Sequence, residues 1–82
     1  MPIRVFGVTG IPSHRRERLE AAVVAGGKQA SGSYEAWIAA TPFSGGFRVL
    51  ITGPYGFERT VMFAIDDDPV VIKERVRETM ED

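Results

Sequence analysis

Few residues in this chain could carry covalent chemistry. It has no cysteine and one histidine, His14, so disulfides, thiolate nucleophiles and thiolate metal sites are excluded. A single imidazole with no second His or Cys nearby is a poor zinc site, because zinc takes three or four such ligands. Asp66, Asp67 and Asp68 stand in a row. A calcium loop instead alternates its ligands, turns on a glycine and closes on a glutamate, and none of that pattern is present. "GVTG" (7–10) lies between a strand-like and a helix-like stretch, where phosphate loops occur. It matches neither G-x-G-x-x-G nor G-x-x-x-x-G-K-[ST]. The expectation is no catalytic residue, no metal ligand and no cofactor.

Binding chemistry is better represented, in two sets. Ser13, His14, Arg15, Arg16 and Arg18 crowd a stretch that Pro12-Ser13 marks as a helix start. Cations there oppose the helix dipole, at about 0.3–1 kcal/mol per charge if nothing compensates them. With the open backbone N–H groups after Ser13 they could hold an anion. Alternatively they are solvated or meet an acidic surface, such as the Asp66–Asp68 run of the same or a neighbouring molecule. The second set is Trp37, Arg48, Leu50 and Met62, which are scattered in sequence and gathered only by the strands that carry them.

Those strands are legible. "SYEAWIAAT" (33–41), "GFRVLITG" (46–53) and "FERTVMFAI" (57–65) each alternate in polarity. Between the last two, Pro54 suits the first position of a type I turn and Gly56 the left-handed residue that closes a three-residue loop. That loop pairs Thr52 with Glu58, Leu50 with Thr60, Val49 with Val61 and Phe47 with Phe63. A four-residue loop, Pro42 to Gly45, pairs Ile38 with Val49 and Trp37 with Leu50. The two hairpins agree on their faces. Tyr34, Ala36, Ile38, Ala40, Phe47, Val49, Ile51, Phe57, Val61, Phe63 and Ile65 form a core face. Glu35, Trp37, Ala39, Arg48, Leu50, Thr52, Glu58, Thr60, Met62 and Ala64 form the other. A slip of one residue would turn every core side chain outward, so the agreement constrains the register.

Upstream, "IRVFGV" (3–8) reads as a short strand. The helix that follows takes Ser13 as N-cap, buries Leu19, Ala22 and Val23, and stops at Gly26-Gly27. "GGKQASGS" (26–33) reads as a flexible connector. Downstream, Asp68 is the natural N-cap and Pro69 the natural first residue of a helix whose Ile72, Val76 and Met80 form an apolar stripe. The order is β-α-β-β-β-α, an α+β fold. It is expected as a three-stranded antiparallel meander with two helices on one face, plus an N-terminal strand of unassigned position. The last five elements resemble the topology of double-stranded-RNA-binding-like folds, a likeness that implies no function by itself.

Eighty-two residues make one domain (1–82), which buries about 60–65% of its unfolded surface. The hydrophobic fraction of 44% supports a true core. No apolar stretch of about 7–15 residues opens the chain as a signal peptide would. Runs such as Ala21–Ala25 are far short of the roughly 20 residues of a membrane span. A cytoplasmic protein without membrane contact is expected. The net charge of −1 is uneven: six Lys/Arg against three Asp/Glu in 1–48, then four against eight in 49–82.

Double-stranded RNA binders of this topology place lysines at the start of the last helix to grip phosphates. This chain places three aspartates there, and a pI near 5.8 lacks the basic footprint of such domains, so nucleic acid is disfavoured. If both helices cover the core face, Trp37, Arg48, Leu50 and Met62 are exposed together, with the composition of a protein interface. If the N-terminal segment covers them, they are core. "GGFRVLITGPYGFERTVMFAIDDDPVVIKERVRETMED" (45–82) resembles a family of small proteobacterial proteins of unknown function; the resemblance implies a bacterial source and carries no residue roles. The expected function is a non-enzymatic interaction module that engages a protein partner or a second copy of itself. The alternative is an anion or nucleic-acid binder at the first helix.

Overall fold

Period-two alternation builds strands and a 3.6-residue stripe builds helices, and this chain uses both in turn. A computed structural model of the protein describes residues 3–28, 30, 32–41, 45–64 and 66–81. The elements are β1 (Ile3–Thr9), α1 (Ser13–Gly26), β2 (Tyr34–Ala40), β3 (Gly46–Thr52), β4 (Glu58–Ala64) and α2 (Pro69–Glu81), in the expected order. Pro42, Phe43 and Ser44 of the first hairpin loop, Gln29 and Ser31 of the connector, and Ile65 of the expected core face lie outside the described residues.

β2, β3 and β4 form the expected antiparallel meander. Trp37 pairs with Leu50 and Ile38 with Val49; Thr52 pairs with Glu58, Leu50 with Thr60, Val49 with Val61 and Phe47 with Phe63. The sheet itself needs correcting. It has four strands in the order β1-β2-β3-β4, with β1 parallel to β2, so it is mixed and not purely antiparallel. The reason is connectivity: α1 carries the chain back along the sheet, which lets β2 run in the same direction as β1.

Leu19, Ala22 and Val23 of α1 and Ile72 and Val76 of α2 are buried in one cluster with Ile3, Ala36, Ile38, Phe47, Val49, Ile51 and Phe63. Tyr34, Ala40, Phe57, Val61 and Met80 pack around it. Both helices therefore cover the face that alternation marks as core. α1 returns against β1 and α2 against β4, and those strands share a direction, so the two helices run parallel. At one end Arg18 shares a groove with Pro69 and Val70; at the other a Cβ on Gly27 would lie 3.0 Å from the Met80 sulfur.

Three local assignments shift. Ser13 is the first residue of α1, not its cap. Pro12 precedes it at φ −56°, ψ 140°, and no side chain caps the end; a proline ring holds that φ without cost. The Pro12 carbonyl accepts from the N–H groups of Arg15 (2.9 Å) and Arg16 (3.2 Å). The β3–β4 turn is not type I. Tyr55 (φ 59°) and Gly56 (φ 76°) are both left-handed, and Phe57 N–H donates to Pro54 O at 3.2 Å, the sign pattern of a type I′ turn that matches strand twist. Gly27 stops α1 at φ −93°, so it is chosen for space: a Cβ there would come within 2.8 Å of Ile3 Cγ2. Asp68 does cap α2, its Oδ1 accepting from Val70 N–H at 2.9 Å.

Candidate interaction surface

The sheet face away from the helices is set residue by residue by the register. Ala36, Ile38, Val49 and Ile51 point into the core, so Glu35, Trp37, Ala39, Arg48, Leu50 and Thr52 point the other way. Trp37 pairs with Leu50, and Arg48 pairs with Met62. β1 joins at the sheet edge and does not cross over this face. Trp37 is 38% exposed and Met62 52%; Arg48 is exposed and Leu50 half-buried. The four residues expected to lie together do so, and neither β1 nor α1 covers them.

β1 extends the surface with Phe6, which shares the outward parity of Arg4. Ile3 pairs with Tyr34, Arg4 with Glu35 and Val5 with Ala36; the register then slips, and Gly7 pairs with Trp37. Phe6, which the slip leaves unpaired, keeps the outward parity of Arg4 and stands on the open face at 52% exposure. There its ring stacks on Trp37 with centroids 5.8 Å apart and planes 25° from parallel. The Arg4 guanidinium lies 5.4 Å over the Phe6 ring, a cation–π distance. Gly7 makes room, since a Cβ there would stand 3.3 Å from Trp37 Cδ1. A glycine inside a strand is the available signal for such a bulge.

Reading across the strands, the open face is organised in rows. Arg4, Glu35, Thr52 and Glu58 cross one end. Phe6, Trp37 and Leu50 form an apolar row beside them, followed by Arg48 and Met62. At the charged end a concavity of about 250 Å³ opens between Arg4, Phe6, Tyr34, Glu35 and Thr52. Trp, Phe, Met and Arg are the residue types enriched at interface centres.

The basic set lies on the helix side of the sheet. Ser13, His14, Arg16 and Arg18 are exposed and Arg15 is half-buried, so the structure does not merge this set with Trp37 and its neighbours. The N–H groups of Arg15 and Arg16 are taken by Pro12 O; the expected run of open donors after Ser13 is reduced accordingly. Arg15 and Arg18 line a cleft of about 40 Å³ with Asp67 and Pro69, well below the size of a ligand pocket. The aspartates have structural work as well. Asp68 caps α2, and Asp67 Oδ2 accepts from Ala64 N–H at 2.9 Å.

Among the described residues, no three His, Cys, Asp or Glu side chains gather as a metal site would require, and no helix is long and apolar enough to cross a membrane. Comparison of the chain with protein-family models, curated proteins and solved structures finds no match.

Proposed function

We propose that this chain is a small, non-enzymatic protein-interaction module of the bacterial cytoplasm that works through its open sheet face. The observation that carries this reading is the stacked Phe6–Trp37 pair standing in solvent on a face that no described element covers. Apolar area left in water forgoes about 25 cal/mol per Å². Two stacked rings with Leu50, Met62 and Arg48 beside them make a contiguous patch of the kind that marks association sites. The non-enzymatic part rests on composition: no cysteine and one histidine, and that histidine is exposed in the first turn of α1. The bacterial source rests on the resemblance of residues 45–82.

Anion or nucleic-acid binding at Ser13, His14, Arg15, Arg16 and Arg18 has less support, because Pro12 O occupies two of the N–H groups such a ligand needs and Asp67 lines the same cleft as Arg15 and Arg18. The discriminating experiment immobilises the wild type, Trp37→Ala, Leu50→Ser and Arg16→Glu and measures retention of protein from a lysate of the source cells. Circular dichroism checks each fold. Loss of retention in the first two variants and not in Arg16→Glu is the expected result. Retention unchanged in Trp37→Ala and Leu50→Ser, with Arg16→Glu abolishing it, overturns the assignment of the face.

A further inference from the structure

We infer that the open face takes a second copy of this chain, the two sheets packing face to face about a two-fold axis that runs along the strands between β2 and β3. This rests on the reading of the open face as an interface and adds the partner and the geometry.

The sheet edges do not invite self-pairing. On β4, Arg75 of α2 donates from Nη1 to Met62 O at 3.0 Å, and Asp67 Oδ2 holds Ala64 N–H at 2.9 Å. Two outward backbone groups of that edge are thus already occupied. β1 carries its register slip between Val5 and Gly7, and a bulge spoils a template for strand addition. The face remains. Its ionic residues are Arg4 and Arg48 against Glu35 and Glu58, which sum to zero, so a second copy meets no net repulsion.

The positions of those charges choose the axis. A two-fold along the strands lays β1 over the partner's β4 and β2 over the partner's β3, and keeps each row facing itself. Arg4 at one corner then meets Glu58 of the partner subunit at the other, twice by symmetry, and Trp37 meets Leu50 of the partner subunit, also twice. A two-fold across the strands gives the poorer solution. It sets Trp37 against itself, Arg4 against Thr9 and Glu58 against Met62, with no opposite charges in contact. The concavity beside Arg4 leaves room for an incoming side chain at the corner where the first arrangement delivers a carboxylate. Aligned sheet packing within about 30° is the ordinary sandwich geometry.

The face also sets the strength. Four strands at about 4.8 Å spacing and seven residues at about 3.3 Å rise give a footprint of roughly 440 Å² per copy. That is about half the roughly 800 Å² per partner of a standard stable interface. The association should therefore be weak, with Kd from tens to hundreds of micromolar.

Sedimentation equilibrium of the intact chain from about 10 µM to 1 mM is the test. The wild type should dimerise. Arg4→Glu or Glu58→Arg should each weaken the dimer about tenfold, as two rim ion pairs become two like-charge contacts. An equimolar mixture of these two single variants should recover it, because each heterodimer restores both pairs. Intramolecular effects of either substitution cannot produce that recovery. A wild type monomeric at 1 mM overturns the inference, while Trp37-dependent retention of a different protein would leave the broader reading of the face intact. Dimerisation that Trp37→Ala weakens and the charge reversals do not touch overturns the proposed axis. Dimerisation indifferent to Trp37→Ala overturns the inference, because the contact then lies off the open face, whereas the reading beneath it falls only if retention from lysate is also indifferent to that substitution.

Discussion

Replacing Gly26 with alanine tests the helix packing on which the whole arrangement depends. A Cβ at position 26 would stand 2.7 Å from the Lys73 carbonyl oxygen, 2.7 Å from Val76 Cβ and 2.9 Å from Val76 Cγ1. Neither obstacle can swing aside: one is backbone, and Val76 is fully buried. Ordinary carbon contacts fall near 3.5–4.0 Å, so α1 and α2 must separate by about 1 Å. Overpacking of this kind costs about 1–3 kcal/mol. Against it stands the better helix propensity of alanine, at most about 1 kcal/mol and less at the last residue of a helix. The steric term wins, leaving a net loss of about 1–2 kcal/mol. For a domain of this size each kcal/mol moves Tm by about 4–8 °C, so the variant should melt roughly 5–15 °C below the parent. Thermal melts followed by far-ultraviolet circular dichroism read the change; Trp37 lies on the opposite face and is the wrong reporter. A Tm equal to or above the parent's would refute the close, parallel packing of the helices.

Gly56→Val places a β-branched side chain at φ 76°, where such residues are steric outliers; with open space around it, the whole effect is backbone strain, about 1–3 kcal/mol, and a melt within a degree or two of the parent would refute the turn geometry. Asp68→Ala removes the bond from Val70 N–H and should cost about 0.5–2 kcal/mol in urea denaturation, whereas Asp66→Ala, which makes no cap, should cost clearly less.

The antiparallel part of the fold was legible because its information is local. Turn residues at Pro54–Gly56 and between Thr41 and Gly46 fix loop length, loop length fixes register, and alternation then assigns every face from Tyr34 to Ala64. Trp37, Arg48, Leu50 and Met62 followed from that assignment alone. The position of β1 did not, because a parallel edge pairing is joined through a helix and leaves no turn to count from. Phe6 lies opposite Ile3 and Val5 by parity and joined the surface only once β1 had a place beside β2; what the bulge hides is Val8, which returns to the core side past Gly7. Gly26 reads as a helix stop in sequence, yet its spatial duty is to let Val76 approach, a requirement set by a residue fifty positions away. Ser13 missed the cap by one residue because Pro12 fits the flanking conformation equally well.

The arginines at the start of α1 look misplaced only while that helix is considered alone. Parallel helices bring two positive dipole ends to the same end of the molecule, each equivalent to about half a charge. The chain answers with Asp66, Asp67 and Asp68 at α2, where Asp68 binds the first turn and Asp67 is turned toward the backbone of β4. Arg15 and Arg18 stand across a narrow cleft from Asp67. Each arginine loses about 0.3–1 kcal/mol to the dipole of its own helix, a cost small enough that no foreign anion is needed to relieve it. The charges at this corner are Arg15, Arg16, Arg18 and Lys73 against Glu17, Asp66, Asp67 and Asp68, four against four, a sum of zero. A polyanion approaching it gains little from the arginines that it does not lose to the aspartates. That balance directs association to the opposite side of the sheet, where, among the described residues, no element covers the apolar row of Phe6, Trp37 and Leu50.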